Sequence, residues 1–324
     1  MLKITRRFAQ CMLAFALAPW AAGAAAQDYP NRPVRLLVPY AAGSTTTNLA
    51  QMLAEKLGPA IGGSVYVENK PGAGGNVGMQ FIAKSTPDGY SLLMAPIGIA
   101  INPSLYNNLG YDALTDLVPV GLYAAVPNLL VVNADVPARS LEEFIAYARR
   151  NPGKLNYASS GAGSSSHLAS EMLKSFGALD IVHVPYKGGG PAMTDVLGGR
   201  IQMLFDQTPG VLPQLASGRI RVLGVSTAAP SAAVPGVPPV ASVVPGFDMS
   251  VWFGIMAPAG TSPEIVRKLN AAMVQVVQEP AFRNALKTMG VDPFTSSPEE
   301  FGVYLRKEKD KWAKVVREAR ITLD

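Results

Sequence analysis

Nine apolar runs of four to six residues recur along the chain, with amphipathic stretches in most of the gaps between them. The runs cover residues 34–38, 64–68, 91–94, 129–132, 155–158, 181–184, 201–205, 221–226 and 251–256. Residues 48–57, 78–85, 141–151, 165–176, 191–198, 211–217 and 263–279 place apolar side chains at the three-to-four spacing of a helix face. Strands that alternate with helices predict an α/β fold with parallel-rich sheets flanked by helices. Ser140 with Glu143, and Ser297 with Pro298 and Glu300, carry helix-start signals. The proline-rich residues 228–246 read as a long surface loop. Residues 301–320 read as a charged amphipathic helix, docked through Phe301, Tyr304, Leu305 and Trp312, with KEKDK (307–311) facing water.

A chain of this size that lacks cysteine pairs must rely on its core. The single cysteine, Cys11, falls in an N-terminal segment with Lys3, Arg6 and Arg7 before an apolar stretch and Ala24-Ala25-Ala26. This pattern predicts a secretory signal peptide over residues 1–26 and a Gram-negative periplasmic destination. The general route and, from Arg6-Arg7, twin-arginine export both fit. Without residues 1–26 the chain carries 25 basic and 23 acidic residues and no cysteine. Near neutrality gives no reason to expect nucleic acid. An exported chain without disulfides needs a large hydrophobic core, most naturally in two domains.

Catalytic chemistry is sparse. Only two histidines occur, His167 and His183, and there is no GxSxG elbow, HExxH helix or cysteine ligand set. PGAGGNVG (71–78) has glycine at 72 and 74 but valine at 77, so it reads as a tight loop before a helix rather than a dinucleotide fingerprint. The GxxxxGK[ST] cradle is absent, and no cofactor is expected. The reading from another class is an exported serine hydrolase that uses a serine near His167, with Asp206 as its only nominated acid–base partner.

What the chain does offer is hydroxyls and glycines where strands turn into helices. VPYAAGSTTTN (38–48) is one such junction and YASSGAGSSSH (157–167) is another. A helix N-terminus has unpaired N–H groups and a partial positive charge, so it binds carboxylates without lysine or arginine. The alternative reading is that these hydroxyls only cap helices. Two such loops in separate domains favour a shared anion-binding cleft.

These residues resemble a known family. YPNRPVRLLVPYAAGSTT, VENKPGAGGNVG, PDGYSLL, INPSLY, YASSGAGSSSHLA, VPYKGGGPAMTDVLGGRIQMLFD and WFGIMAPAGTS occur in order and at normal spacing. They are similar to the Bug family of periplasmic solute receptors of tripartite tricarboxylate transporters. The resemblance implies a two-domain periplasmic binding protein, type II-like, with the ligand cleft between the domains. It places domain 1 at residues 27–126 and 247–324 and domain 2 at residues 127–246, with crossings near residues 129–132 and 251–256. It implies capture of a small organic acid, a di- or tricarboxylate or an aromatic acid, with closure of the domains. The partners implied are the membrane subunits of such a transporter, with the receptor as a monomer; delivery to a sensor kinase is the other output.

The resemblance also implies a binding set. From the first loop come Tyr40, Gly43, Ser44, Thr45, Thr46 and Thr47; Thr47 stands where the family commonly has aspartate. From the second come Ser159, Ser160, Gly163, Ser164 and His167. Lys187 and Asp206 match further family positions, Asp206 in a positioning role. Residues 95–100, with Pro96 and Ile97, read as a loop after the third strand that is unusually apolar for a cleft lining and, with Tyr40, hints at a ligand with a hydrophobic or aromatic body. Asn102 reads as a structural cap.

Overall fold

The computed structural model describes residues 29–322, so the leader expected over 1–26 lies outside the described residues. From Arg32 onward the chain forms one compact unit. It begins with β1 (Val34–Val38), α1 (Thr45–Ala60), β2 (Val65–Asn69), α2 (Asn76–Ala83), β3 (Ser91–Pro96) and a short α3 (Gly98–Ile101). β1 pairs in parallel with both β2 and β3, as the alternation of strands and helices requires.

A long strand, β4 (Leu117–Asn133), then leaves the first sheet for a second. There follow α4 (Leu141–Arg150), β5 (Asn156–Ser159), α5 (Ser165–Phe176), β6 (Val182–Pro185), α6 (Gly189–Leu197), β7 (Met203–Gln207), α7 (Thr208–Val211) and β8 (Ile220–Val225). β5 runs parallel to β6 and β7. The chain returns through β9 (Ser250–Pro258), α8 (Pro263–Gln278), α9 (Pro280–Thr288), β10 (Asp292–Pro293) and α10 (Pro298–Glu318). β4 joins the two halves: Leu117–Pro127 pairs antiparallel with β9, and Asn128–Asn133 pairs with β7 and β8.

The sequence predicts only residues 129–132 of β4 as strand. Pro119, Gly121 and Pro127 interrupt the pattern before that point. The strand shifts register between Pro119 and Gly121 and between Leu122 and Ala124, and Pro127 stays in register opposite Ser250. Bulges of this kind are where a sheet tolerates proline. The expected helix at 211–217 is instead α7 followed by a 3-10 segment, Leu212–Ser217. Pro213 lies there, and it lacks the N–H an α-helix would use. Residues 228–246 are mostly irregular, as expected, yet Val234, Val240 and Val244 are buried.

The helix caps follow the sequence signals with one adjustment. Ser297 and Glu300 form the full reciprocal box: Glu300 N donates to Ser297 Oγ at 3.1 Å, and Ser297 N to Glu300 Oε2 at 2.8 Å. At α4, Glu143 N donates to Ser140 Oγ, but the Glu143 carboxylate accepts from Arg139 N, one residue earlier than a box requires. The docking side of α10 is as expected, with Phe301, Leu305 and Trp312 buried. Glu308, expected in water, is also buried and accepts from the indole N–H groups of Trp252 and Trp312.

The glycine run before α2 is a packing device. Gly74 and Gly75 adopt positive φ. Gly78, inside α2, lies so close to the chain leaving β1 and β2 that an added Cβ would sit 2.9 Å from Pro39 Cα and 2.8 Å from Lys70 O. The backbone cannot yield cheaply at either contact. Gly78→Ala is therefore expected to lower stability by about 1–3 kcal/mol, read by urea denaturation. An unchanged midpoint would mean α2 is free to shift.

Candidate functional site

Each hydroxyl-rich loop ends in the same capping geometry. Ser44 (φ −74°, ψ 157°) caps α1, accepting from Thr47 N at 3.2 Å. Ser164 (φ −73°, ψ 163°) caps α5, accepting from His167 N at 3.3 Å. A side-chain cap satisfies only one of the orphan donors of a helix start. Among the described residues, the N–H groups of Thr45 and Thr46, and of Ser165 and Ser166, have no hydrogen-bond partner. The Thr46 hydroxyl has none either.

Other predicted donors are committed inside the loops. Thr47 Oγ1 donates to Ala41 O at 3.2 Å, accepts from Asn69 Nδ2 at 2.8 Å and lies 2.9 Å from Ser44 Oγ. It ties the loop's start, its cap and the end of β2 together. Ser160 N donates to Ser166 Oγ at 2.8 Å, and that oxygen also contacts Ser160 Oγ and Ser164 Oγ. Ser159 is fully buried, with Oγ 2.7 Å from His183 Nε2. His167 is buried, accepts from Gly163 N through Nδ1 at 3.2 Å, and stacks on His183 at 4.3 Å. Its ring thus braces the loop. Gly43 is exposed, at φ +80°, with nothing near its missing Cβ.

The glycine run before α2 lies close to both loops. Tyr40 packs against Gly75 and Gly98: a Cβ on Gly98 would lie 3.0 Å from its hydroxyl. A Cβ on the adjacent Gly74 would lie 3.5 Å from Ala162 O in the second loop and 2.6 Å from the Tyr106 hydroxyl. The glycine run therefore links the first loop to the second. Burial raises the pKa of Tyr40 far above the usual phenol value, then Tyr106 adds to it, so Tyr40 stays a neutral donor. Tyr106, half-buried at the same place, is a candidate that the sequence reading passed over; it is the tail of INPSLY. Asn102, fully buried, donates to Gly74 O and Asn76 Oδ1, which agrees with a structural role.

Pro96 and Ile97 do not form a loop. Pro96 ends β3, Ile97 precedes α3, and both are buried. Lys187 is exposed just before α6. Asp206, at the end of β7, accepts from Gln207 N at 2.9 Å. Glycines at 189 and 210 make room for it; a Cβ on Gly210 would lie 2.7 Å from its Oδ2.

Burial pushes the Asp206 pKa up to about 6, against the pull of the Gln207 N–H. Its folded value then exceeds its unfolded one, so the folded state holds the proton more tightly and stability falls as pH rises from about 4 to 6. Asp206→Asn removes that penalty. Because Asp206 is partly exposed, the ligand-free variant is expected to be about 1–2 kcal/mol more stable than wild type at pH 7.5, the gain fading by pH 4. Denaturation at both pH values checks this; a variant less stable at pH 7.5 would mean the charge is well satisfied.

A separate concavity of about 810 Å³ lies beside β1 and α2, with Arg35, Lys70 and Phe81 in its wall and none of the predicted site residues. Its two arginines are paired, Arg32 with Asp88 and Arg35 with Glu68. Among the described residues no group of three His, Cys, Asp or Glu could hold a metal ion, and no helix is long and apolar enough to cross a membrane.

Parallel-rich sheets flanked by helices and bridged by a shared strand, each carrying a serine-capped helix start after a hydroxyl-rich loop, define a periplasmic binding protein architecture. The chain belongs to the tripartite tricarboxylate transporter family of receptors, which it matches over residues 49–321. It is 36% identical to Protein BugT of Bordetella pertussis, over 98% of both chains. A solved structure described as R. palustris Rpa4515 with adipate has a TM-score of 0.87 at 36% identity, covering 91% of this chain and 99% of that one. MatC from Rhodopseudomonas palustris, with bound malate, has a TM-score of 0.83 at 29% identity, covering 89% and 100%.

Proposed function

We propose that this chain is a periplasmic solute receptor that captures a small di- or tricarboxylate between two lobes, closes on it and delivers it to a membrane permease. The observation that carries the reading is the pair of equivalent helix N-termini, α1 and α5, each with two unpartnered N–H groups. Relatives of this fold solved with adipate and malate support the ligand class. The lobes proposed are residues 27–126 with 247–324, and residues 127–246. β4, near residues 129–132, and the return into β9, near residues 251–256, serve as crossings; just before the second, Met249 N donates to Ser226 O. The leader over 1–26 exports the receptor, which works as a monomer with the permease.

We read no catalysis in it. Ser159 and His183 form a serine–histidine pair, but Ser159 is fully buried and cannot meet a substrate. Asp206 bonds only Gln207 N among the described residues, so it orients neither histidine. A hydrolase needs both.

The test separates binding from capping. Thr46→Ala is expected to weaken binding of a cognate dicarboxylate about tenfold or more without changing ligand-free stability. Ser164→Ala is expected to weaken binding and also to cost about 1 kcal/mol of stability, because its oxygen caps α5. Calorimetry with a panel of organic acids, alongside melting of the ligand-free variants, reads both. Two variants that bind like wild type would sink the assignment.

A further inference from the structure

The concavity beside β1 and α2 is lined by no residue of the two hydroxyl-rich loops. Its walls are unusual for a free surface. α2 packs on β1, β3 and β9 and leaves Tyr66 of β2, the edge strand of the first sheet, 48% exposed. Parallel strands ordinarily have both faces covered. Val77 (42% exposed) and Phe81 (36%), four residues apart and so on one face of α2, line the same groove. Among the described residues seven large apolar side chains stand exposed, and three of them share this one concavity. Single exposed apolar residues need no explanation, whereas a group of them in a groove marks a docking surface.

The groove is also cationic. Arg32, Arg35, Lys70 and Lys84 line it. Arg32 pairs with Asp88 and Arg35 with Glu68, while Lys70 and Lys84 have no carboxylate partner among the described residues. Rings hold three of the cations in place: Arg32 lies over Tyr90 at 4.2 Å, and Arg35 and Lys70 both lie over Phe81 at 4.8 Å. Side chains fixed in this way lose little further freedom when a partner binds.

We infer that this groove is the surface through which the receptor docks on the membrane subunits of its transporter, and that it takes an acidic segment of theirs that also carries an apolar side chain. The inference rests on the receptor reading. Two lysines without a counter-charge call for carboxylates, and Tyr66, Val77 and Phe81 call for an apolar group beside them. A second copy fits badly, because a two-fold axis would set the same excess of positive charge against itself. Residues 1–26 fit no better, since they carry Lys3, Arg6 and Arg7 and no acid. A flat bilayer does not reach the floor of the groove, where the Arg35 side chain is only 22% exposed.

The experiment uses the full receptor and vesicles of phosphatidylethanolamine and phosphatidylglycerol, with and without the membrane subunits of the transporter from the same cells. Co-sedimentation reads docking, uptake of a labelled dicarboxylate reads delivery, and calorimetry reads ligand affinity. The double variant Lys70→Glu, Lys84→Glu is expected to dock about tenfold or more weakly than wild type, with ligand affinity unchanged, and Tyr66→Ala to weaken docking as well. Wild-type docking is expected to fall as salt rises, because Lys84 is exposed. Uptake driven equally by wild type and both variants overturns the inference and leaves the receptor reading standing. Equal sedimentation with protein-free vesicles assigns the groove to lipid and also overturns it. Absence of uptake with wild type, for an acid it binds, overturns the permease reading and the inference together.

Discussion

A dicarboxylate should bind the ligand-free protein at least about a hundredfold more tightly than its own monoamide. The reason lies in what the two loops present. Thr45, Thr46, Ser165 and Ser166 offer backbone N–H groups at helix starts, with no lysine or arginine between Val38 and Asn48 or between Tyr157 and His167. A carboxylate there receives charge-assisted hydrogen bonds and the favourable end of a helix dipole. An amide loses the charge and turns an NH2 donor toward donors. Losing a bond to a charged group costs about 1.5–3 kcal/mol, and the dipole adds about 0.3–1 kcal/mol; near 3 kcal/mol is a hundredfold. The α-amino analogue should also bind more weakly, because Thr47 brings no charge and its hydroxyl is already bonded to Ala41 and Asn69. Calorimetry with the acid, its monoamide and its α-amino analogue decides the matter. Equal affinity for acid and amide would leave the loops as helix caps alone. Neutral donors also suit a receptor that must release its cargo, since a fixed cation in an empty cleft would carry its own desolvation cost.

The frame of this site was readable from local pattern, and its allocation of donors was not. An apolar run, a hydroxyl-rich turn and a helical repeat announce a strand–helix junction, and Ser44 and Ser164 cap as that pattern demands. Which hydroxyls remain free depends on partners far away in sequence. Thr47 is occupied by Asn69, and Ser159 by His183. β4 itself was hidden by its prolines, which sequence rules read as breaks; the sheet accepts Pro119 beside a register shift and Pro127 in register opposite Ser250. The stretch 95–100 looked like a loop because its apolar residues have no period; in the fold it is buried strand end and helix start.

Glu308→Ala is expected to lower the unfolding free energy by about 3–5 kcal/mol, although KEKDK reads as a solvated helix face. Its carboxylate lies under the helix rather than outside it. Glu308 is 8% exposed, and its Oε2 accepts from Trp252 Nε1 at 2.9 Å and from Trp312 Nε1 at 3.2 Å. Both indoles are fully buried, so removing the acceptor strands two donors that water cannot reach. Each stranded donor costs about 1–3 kcal/mol, and the lost side chain leaves a cavity besides. Trp252 belongs to β9, where it faces Ala125 of β4, and it meets Phe301 and Tyr304 of α10 edge-on. The one carboxylate thus fastens the last helix to the strand pair that leads toward the second sheet. Glu308→Gln keeps an acceptor and should lose only about 1–2 kcal/mol. Urea denaturation followed by tryptophan fluorescence compares the three proteins. A loss below about 1 kcal/mol for the alanine variant would mean that the cost of burying the carboxylate cancels the bonds it makes.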